Sequence, residues 1–570
     1  MENKEIIRQL KLTASLMELH GENPFKLKSY TTAAFNLDKF QTPLEMLSQK
    51  ELEDIEGVGK SMAAHIREIV DKGVYGKLDL LLKETPKGVI ELLKLPRFGA
   101  KKIRTLWLEL KISNEEELMQ ACRDGRVALM KGFGEKSQAA LIQAIEFLRE
   151  NRGKLHYAKA EAILNKITEI ISPVVEKMEA VGEMRRKCEV VNQVEILAVG
   201  KDVSAISKTL QQTDDYQYLD ESSGPLTWKG IYKPTETRLI IKVTSNERFV
   251  SELMLQTGSA THLKMLKTEG GPLIDQLRKK NFDSEAEVYK LLNWPEITPE
   301  LREGIFEIGL AREDKLPNLI EDSDLKGILH NHSTYSDGRH SLEDMANYCK
   351  ELGYEYLGIT DHSRSAFFAK GMSDEEVAAQ HKEIDELNKK LAPFKIFKGI
   401  ESDILFDGSL DYPDEILETF EFVIASVHMI LNMDEKKATE RIITAVSNPY
   451  TTMLGHPTGR LLLEREGYPL DHKAVIDACA ANNVSIEINA NPLRLDLDWR
   501  WIQYALEKKV MLSINPDAHR KTGYHDMKFG LLAARKGGLT KEMNLNSLTL
   551  EQIDEYFVKN RESKVKLAAQ

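Results

Sequence analysis

Histidine and acidic residues in the last third of the chain stand at the ends of short apolar runs. Ten of the 14 histidines lie in residues 321–570, and this region carries a net charge of −11. Divalent cations need anionic oxygen and neutral nitrogen donors together, so the pattern indicates a metal centre. The runs are KGILHNH (His330, His332), YEYLGITDH (Asp361, His362), FKIFKGIES (Glu401), EFVIASVH (His428), TTMLGHP (His456), VSIEINA (Glu487) and VMLSINPDAH (Asp517, His519).

The spacing of His330 and His332 is the most informative part of this pattern. Side chains two residues apart in an extended segment point to the same side, so both imidazoles face one site. Asp337, in the turn YSDG, belongs to the same opening segment. A site with nitrogen and oxygen ligands suits Mn²⁺, Zn²⁺ or Fe²⁺. Such ions lower the pKa of a bound water and can so generate a hydroxide nucleophile near neutral pH.

The elements that must position these residues are strands and helices in alternation. Seven apolar, β-rich runs alternate with helical stretches, and functional residues stand at the carboxyl end of each run. Parallel strands joined by helices form a barrel whose active site lies at the carboxyl ends of the strands. The last third is therefore predicted to be a parallel barrel that gathers distant side chains around one mouth.

The first 150 residues read as short amphipathic helices separated by turns, and three turns resemble one another. A glycine turn that opens a helix exposes N–H groups that can hold a phosphate, and a following lysine adds a charged contact. This pattern predicts helix-hairpin-helix binding of DNA, although Arg97 replaces the first glycine of the second turn. The predicted DNA-binding residues are Gly57, Gly59, Lys60, Gly99, Lys101, Lys102, Gly132, Gly134 and Lys136.

Further motifs extend the pattern over the whole chain. They are NPFKLKSYTTAA (23–34), GEMRR (182–186), an apolar strand (194–199), TGS (257–259) and PELRE (299–303). With the three hairpins, they resemble the bacterial X-family DNA polymerases that carry a C-terminal PHP domain. The resemblance implies a multidomain α+β and α/β chain with helical helix-hairpin-helix domains, a polymerase-like palm and thumb, and a distorted (β/α)7 PHP barrel. The implied domains are 1–85 (lyase-like), 86–150 (fingers-like), 151–315 (palm and thumb), 316–325 (linker) and 326–570 (PHP).

The resemblance to PHP phosphoesterases also implies three divalent ions, with Mn²⁺ favoured. It further implies that the ions activate a water that attacks a phosphoester. Glu401 and Asp517 are assigned as catalytic ligands, Arg460 and Arg494 as phosphate clamps, and Asp361 and Glu487 as supports of the ligands. Ile328 stands where relatives usually have an acidic residue, which weakens the expected support of an imidazole. The implied ligands are His330, His332, Glu401 and Asp517 for one ion, Glu401, His428 and His456 for a second, and Asp337, His362 and His519 for a third.

The same resemblance predicts that DNA synthesis is lost or impaired. Nucleotidyl transfer by two metals needs three carboxylates on adjacent strands, and the family's spacing puts them at Gln193, Glu195 and Ile240. One acid remains, unless a shift of register brings in Asp214 and Asp215.

Other family positions are also changed. Glu183 replaces a serine that meets the triphosphate, and His65 replaces the lysine that forms a Schiff base in lyase-active relatives, which an imidazole cannot do. A remnant of the nucleotide site would consist of Gly182, Arg185, Arg186, Gly258 and Ser259.

The leading hypothesis is a DNA-repair metalloenzyme. Its helical and polymerase-like domains would hold gapped, nicked or 3′-frayed DNA while the PHP barrel acts as a 3′-5′ exonuclease or 3′-end phosphoesterase. The alternatives are an active gap-filling X-family polymerase, a small-molecule PHP phosphatase, and a polymerase-like region that only binds DNA as an architectural element.

Composition narrows the class of protein. With 570 residues, 42% hydrophobic and 29% charged, the chain is typical of folded multidomain proteins and not of disordered or fibrous ones. Four scattered cysteines favour a reducing compartment, and the sequence has neither a signal peptide nor a long apolar run. We expect a cytoplasmic protein without membrane contact, nucleoid-associated when bound to DNA. No feature of the sequence identifies a protein partner.

Overall fold

The structure, a computed structural model, describes residues 3–38, 40, 42–96 and 98–568. Arg97 of the second glycine turn therefore lies outside the described residues. The chain forms two compact units, Met1–Arg152 and Gly153–Gln570. Within the described ranges, no helix has the length and apolar character needed to cross a bilayer.

The first unit is helical, and its apolar helix faces share one hydrophobic core. Buried side chains from Ile6 to Ile145 form this core, so the segments predicted as two domains, 1–85 and 86–150, pack around the same interior. The elements are α1 (Asn3–His20), α2 (Pro24–Asp38), a 3₁₀ turn (Leu44–Met46), α3 (Gln49–Glu53), α4 (Lys60–Lys72), α5 (Gly76–Glu84), α6 (Lys87–Leu92), α7 (Ala100–Leu110), α8 (Glu115–Arg123) and α9 (Glu135–Asn151).

Each of the three glycine turns ends in the residue that precedes a helix. Gly59, Gly99 and Gly134 are the N-caps of α4, α7 and α9, and none of them can cap its helix with a side chain. A Cβ built on any of these three glycines would meet no atom within 4 Å, so packing does not demand glycine there. The first N–H groups of each helix are therefore open to a ligand.

The remaining residues of these turns have the expected conformation and exposure. Gly57 and Gly132 have φ angles of 78° and 85°, a left-handed conformation that glycine adopts without strain. The lysines that follow the turns are all exposed; they are Lys60, Lys101, Lys102 and Lys136.

Residues 153–325 contain a five-stranded sheet followed by short helices. The strand order is β2-β4-β7-β6-β5, and β4 and β7 run parallel. Buried and more exposed residues alternate along β6 and β7, as in a sheet that is covered on one face. The elements are β1 (Leu155–His156), α10 (Tyr157–Ile171), β2 (Lys177–Ala180), α11 (Gly182–Arg185), β3 (Val190–Val191), β4 (Val194–Val199), α12 (Ser204–Leu210), β5 (Tyr216–Tyr218), β6 (Thr227–Tyr232), β7 (Thr237–Thr244), α13 (Phe249–Thr257), α14 (Ala260–Met265), β8 (Lys267–Thr268), β9 (Gly271–Pro272), α15 (Leu273–Lys279), α16 (Glu285–Lys290) and α17 (Glu307–Arg312).

The rest of the second unit is a nearly closed parallel barrel. Its sheet of seven strands follows chain order from β10 to β16, and neighbouring strands are parallel. Asn331 pairs with Ala518, and this pairing brings the first and last strands together. The elements are β10 (Gly327–Ile328), α18 (Leu342–Glu351), β11 (Tyr356–Ile359), α19 (Asp374–Leu391), β12 (Lys395–Asp403), α20 (Asp414–Leu417), β13 (Phe422–Ser426), α21 (Glu435–Val446), β14 (Met453–Leu454), α22 (His472–Ala481), β15 (Ser485–Asn489), α23 (Ile502–Glu507), β16 (Leu512–Asn515), α24 (Met527–Lys536) and α25 (Leu550–Ala568). The predicted fold class is confirmed.

The predicted linker, residues 316–325, packs against the barrel. Ile320 is fully buried, and its N–H donates to the Leu539 carbonyl at 3.0 Å. Its own carbonyl accepts a hydrogen bond from Arg535 at 2.8 Å. This segment therefore joins the sheet region to the barrel as part of the packed structure.

Lys536, in α24, ties the barrel to the palm-like region. Its side chain is 1% exposed, and its ammonium group donates to the Glu303 carboxylate and, at 2.9 Å, to the Arg186 carbonyl. The ammonium also lies 4.6 Å from the centre of the Trp499 ring. A cation from the barrel thus neutralises a carboxylate of the preceding region.

We expect Lys536→Ala to lower the free energy of unfolding by about 3 kcal/mol, because it removes one of the two cations that neutralise Glu303 and leaves the Arg186 carbonyl without its buried donor. Urea unfolding followed by tryptophan fluorescence measures the loss. Lys541→Ala is the matched control: Lys541 is 53% exposed and pairs with Asp324 at 3.7 Å, so its loss should cost less than about 1 kcal/mol. Equal effects of the two substitutions would contradict the buried role of Lys536.

Candidate metal centre

The mouth of the barrel collects nine side chains with metal-binding atoms. Eight of them lie beyond the carboxyl ends of strands, and the ninth, Glu401, is near the end of β12. They are the nine residues singled out from the sequence, and the structure places them in one cluster: His330, His332, Asp337, His362, Glu401, His428, His456, Asp517 and His519.

Glu401 lies at the centre of this cluster and is fully buried. Its Oε1 atom is 3.0 Å from His456 Nε2 and 3.2 Å from His428 Nε2. Its Oε2 atom is 2.9 Å from His362 Nδ1 and 3.6 Å from His332 Nε2. Because its two oxygens face different histidines, this carboxylate can bridge two cations.

A second carboxylate and an outer group adjoin Glu401. Asp517 Oδ1 lies 3.0 Å from His332 Nε2. Asp337 Oδ1 lies 3.2 Å from His519 Nε2 and 3.6 Å from His362 Nε2. The His332 ring stacks on both His362 and His519, with centroids 4.3 and 4.1 Å apart. His332 therefore lies beside the outer group as well as beside Asp517, so it can serve either of two neighbouring cation positions.

Glu487 of β15 contacts the ring nitrogen of His330 that faces away from the cluster. The His330 Nδ1 atom is 2.6 Å from Glu487 Oε1, which leaves Nε2 facing Glu401 at 3.4 Å and Asp517 at 3.6 Å. Ile328 is a fully buried residue of β10. The first strand therefore offers no carboxylate at position 328 to support the His330 imidazole. Glu487, from strand β15, supports this imidazole instead.

Asp403, which the sequence analysis missed, supports a second histidine. Its Oδ1 atom is 2.5 Å from His428 Nδ1, so it directs the His428 Nε2 atom toward Glu401. Asp403 follows Glu401 by two residues in β12, and strand alternation could have identified it in the same way as the His330 pair.

Asp361 acts on the backbone next to the ligands. It is fully buried and accepts hydrogen bonds from the Ser333 N–H at 2.8 Å, the Ser333 hydroxyl at 2.6 Å and the Gln380 amide at 2.7 Å. The Ser336 N–H also donates to it, at 3.2 Å. These contacts hold the loop between His332 and Asp337.

Several buried nitrogen and oxygen atoms of the cluster that could bind a metal have no hydrogen bond of acceptable geometry within the described residues. They include His330 Nε2, His362 Nδ1 and Glu401 Oε2. Buried polar atoms are rarely left unsatisfied. Imidazole nitrogens and carboxylate oxygens that converge in this way match the coordination preferences of divalent cations, so the residues fit metal ions.

Carboxylates in the metal-free cluster change the pKa values of the histidines. Burial lowers the pKa of His428, but the Glu401 and Asp403 carboxylates more than offset this and raise it to about 10. Burial also lowers the pKa of His519, but the hydrogen bond to Asp337 outweighs this effect together with the Asp517 carboxylate. The pKa of His519 is thereby raised to about 9. Both histidines are therefore protonated at neutral pH before metal binds.

We expect metal binding to release protons and to strengthen as pH rises toward about 9 to 10, because His428 and His519 must lose protons to become ligands. Titration calorimetry with Mn²⁺ in buffers of different ionisation enthalpy measures the protons released. These raised pKa values stabilise the metal-free fold below about pH 6.5, and this stabilisation is lost as pH rises through them. Metal binding that does not depend on pH would contradict this assignment.

The two arginines predicted to clamp phosphate differ in their surroundings. Arg460 donates to Asp498 at 2.5 Å, to the Arg494 carbonyl at 2.9 Å and to the Leu495 carbonyl. Its guanidinium is thereby held in the loop after β15, and its role as a phosphate clamp stays a prediction. The Arg494 side chain is half-buried in the same loop, and no partner for its guanidinium is found among the described residues.

The palm-like sheet brings the predicted catalytic positions together but offers few acids. Glu195 in β4 pairs directly with Ile240 in the parallel strand β7, and Gln193 immediately precedes β4. A Cβ on Gly182, whose φ is 61°, would lie 2.1 Å from Glu195 Oε2. Burial raises the pKa of Glu195, while Lys242 on the neighbouring strand opposes this shift. A lysine thus lies beside the remaining carboxylate.

Asp214 and Asp215 do not supply the missing carboxylates. They precede β5, and β6 and β7 separate this strand from β4. Neighbouring strands are about 4.8 Å apart, so the shifted register would place these acids far from Glu195.

Residues of the expected nucleotide site are engaged in the protein interior. Arg185 donates to both oxygens of Glu285, at 2.9 and 2.6 Å, and Arg186 donates to Glu303 at 2.9 Å. Ser259, which follows Gly258, caps α14 by accepting the His262 N–H at 3.0 Å. Glu183 accepts two hydrogen bonds from Asn192. The cationic groups expected to meet a triphosphate are therefore already neutralised by carboxylates.

Comparisons with known proteins cover both ends of the chain and its whole length. A helix-hairpin-helix domain family matches residues 1–75, and the PHP domain family matches residues 329–491. The DNA polymerase/3′-5′ exonuclease PolX of Bacillus subtilis (strain 168) is 35% identical over 573 residues, covering 98% of this chain and 100% of that protein. A probable phosphatase of Thermoanaerobacter sp. (strain X514) is 28% identical over 235 residues, or 37% of this chain and 92% of its own length. A probable phosphatase of Acetivibrio thermocellus is 27% identical over 244 residues, or 41% of this chain and 95% of its own.

Proposed function

Because the chain belongs to the PolX family of X-family DNA polymerases with a C-terminal PHP domain, we propose that it is a DNA-repair metalloenzyme acting on 3′ ends. Its barrel would act as a 3′-5′ exonuclease and 3′-end phosphoesterase. The observation that carries this proposal is the buried Glu401 carboxylate, with ring nitrogens of five histidines within 3.6 Å of its oxygens.

The proposed mechanism assigns each ligand a position. When bound, the ions supply a water of lowered pKa and neutralise charge that develops on the phosphate. Glu401 would bridge two of them, and Glu487 and Asp403 keep the imidazoles of His330 and His428 oriented. The remaining ligands would be His330, His332 and Asp517 for one ion, His428 and His456 for the second, and Asp337, His362 and His519 for the third.

Arg494 is the proposed phosphate contact of the protein itself. Its guanidinium lies in the loop after β15, and Arg460 holds that loop through the Arg494 carbonyl. A free guanidinium presents a fork of donors that matches phosphate oxygens. Arg494 would thereby orient the scissile group toward the cluster.

We propose three divalent ions at the mouth, with Mn²⁺ favoured over Zn²⁺ or Fe²⁺. Imidazole and carboxylate donors suit all three metals, and the cluster contains no thiolate among the described residues. Elemental analysis of the protein, together with activity restored by each metal after chelation, would identify the ion.

The helical unit and the palm-like region are proposed to bind DNA with synthesis lost or impaired. Open helix N-termini at Gly59, Gly99 and Gly134 with adjacent exposed lysines support contacts to the phosphate backbone. Glu195 beside Ile240 supports the loss of metal-dependent synthesis. The substrate would be gapped, nicked or 3′-frayed DNA.

The direct test is end-resection of labelled DNA. With Mn²⁺, the protein is expected to shorten a 5′-labelled primer from its 3′ end and to remove a 3′-terminal phosphate. A His330→Ala, Asp517→Asn double variant should lose both activities yet still shift gapped DNA in a gel. Resection by this variant at the wild-type rate would refute the proposal. Rapid hydrolysis of a sugar phosphate, without DNA affinity, would instead favour a small-molecule phosphatase.

A further inference from the structure

Two phenylalanines stand exposed at the rim of the metal centre. Phe367 is 84% exposed and Phe368 is 66% exposed. The centre of the Phe368 ring lies 6.2 Å from the rings of both His362 and His428. Large apolar side chains in water forgo the free energy of burial, and neighbouring exposed ones mark binding sites. The Phe368 ring therefore lies where a substrate at the metal centre would touch it, and the exposed Phe367 directly precedes it in the chain.

The segment that carries the two rings is fixed to the metal centre. They belong to a 3₁₀ helix, Phe367–Ala369, that follows Ser365. The Ser365 hydroxyl donates to Asp403 at 2.9 Å, and the same carboxylate contacts His428. The Ser365 N–H donates to Asp411 at 2.7 Å. The backbone that carries the rings is thus anchored beside the ligands, which lowers the entropy cost of binding.

The neighbouring rim adds apolar surface and positive charge. Met429 and Ile430 directly follow His428 and are 38% and 53% exposed. Phe406, beyond the end of β12, is 50% exposed, and the Lys437 ammonium lies 3.4 Å from the centre of its ring. Proteins that bind single-stranded nucleic acid combine aromatic faces with cations in this way.

We propose that Phe367 and Phe368 form a stacking platform for unpaired bases at the 3′ end of a DNA strand. The inference rests on the proposed function, since it places the terminal phosphodiester at the metal centre. A base in a duplex is already stacked and paired, so only an unpaired base can lie on these rings without the cost of opening the duplex. The platform therefore selects single-stranded or frayed 3′ ends over blunt duplex ends, with little preference for sequence.

The test compares a substrate that has bases with one that has none. Steady-state rates with Mn²⁺ are measured for a single-stranded oligonucleotide and for bis(p-nitrophenyl) phosphate, using the full-length protein. In a Phe367→Ala, Phe368→Ala variant, the ratio of kcat/KM for the oligonucleotide to that for the small diester should fall about tenfold or more, mainly through KM. Phe368→Tyr, which keeps the aromatic face, should retain the wild-type ratio.

An oligonucleotide with two abasic sites at its 3′ end gives a second readout. The wild-type protein should cleave it about tenfold less well than the normal strand, and the double variant should cleave both alike. Val558→Ala is the control, because Val558 is 56% exposed on α25, outside the barrel mouth. A wild-type ratio in the double variant would overturn the platform while leaving the proposed function intact. A wild-type protein inactive on every DNA end would refute the proposed function itself.

Discussion

Glu401→Gln is expected to reduce Mn²⁺-dependent hydrolysis at DNA 3′ ends by at least about 10³-fold, because a neutral amide cannot bridge two cations. Five histidine nitrogens lie within 3.6 Å of the Glu401 oxygens, and no other carboxylate among the described residues is surrounded in this way. The loss should appear in kcat, measured with a 5′-labelled primer and saturating DNA. Native mass spectrometry should show fewer bound ions per chain.

Asp407→Asn provides the matched control for this substitution. Asp407 lies just beyond the same strand, is exposed, and accepts hydrogen bonds from Ser409 instead of facing the cluster. Its rate and metal content should equal those of the wild type. If Glu401→Gln retained wild-type activity and metal content, the cluster could not be the catalytic centre.

Templated DNA synthesis is expected to be at least about 10³-fold slower than in the B. subtilis relative, because one carboxylate cannot hold a pair of Mg²⁺ ions. The structure pairs the remaining acid, Glu195, with Ile240. It also neutralises Arg185 with Glu285, which removes a cation that could meet the triphosphate. Single-nucleotide incorporation on a gapped template measures this difference.

The synthesis assay needs the Glu401→Gln variant as well as the wild type, since resection would erase newly added nucleotides. The B. subtilis protein, which is named a DNA polymerase, serves as the positive control. Retention of gapped DNA in a gel shift would show that the protein still binds its template. Incorporation by Glu401→Gln at the rate of the relative would show that the palm is a working active site and that its loss was wrongly inferred.

Local patterns were sufficient to predict the barrel and the side chains at its mouth. Each strand is a short apolar run, and the carboxyl ends of all strands in a parallel barrel lie at the same end of the barrel. Residues such as His330, Glu401 and Asp517 could therefore be assigned to one cluster from the sequence. The glycine turns were predictable for a similar reason. Gly59 and Gly134 each cap the N-terminus of a helix, and the sequence next to each glycine is enough to indicate that start.

Contacts between distant segments depended on the folded chain. Arg460 and Arg494 were both predicted as phosphate clamps, yet the loop after β15 engages the Arg460 guanidinium, whereas no partner of the Arg494 guanidinium is found in the part of the chain that the structure describes. Likewise, the pairing of Glu487 with His330 and of Lys536 with Glu303 joins residues far apart in the chain. Strand and helix periodicity arises within a few residues, whereas the partner of a buried charge is set by which elements pack together, and that is decided only when the barrel closes and docks on the palm-like region.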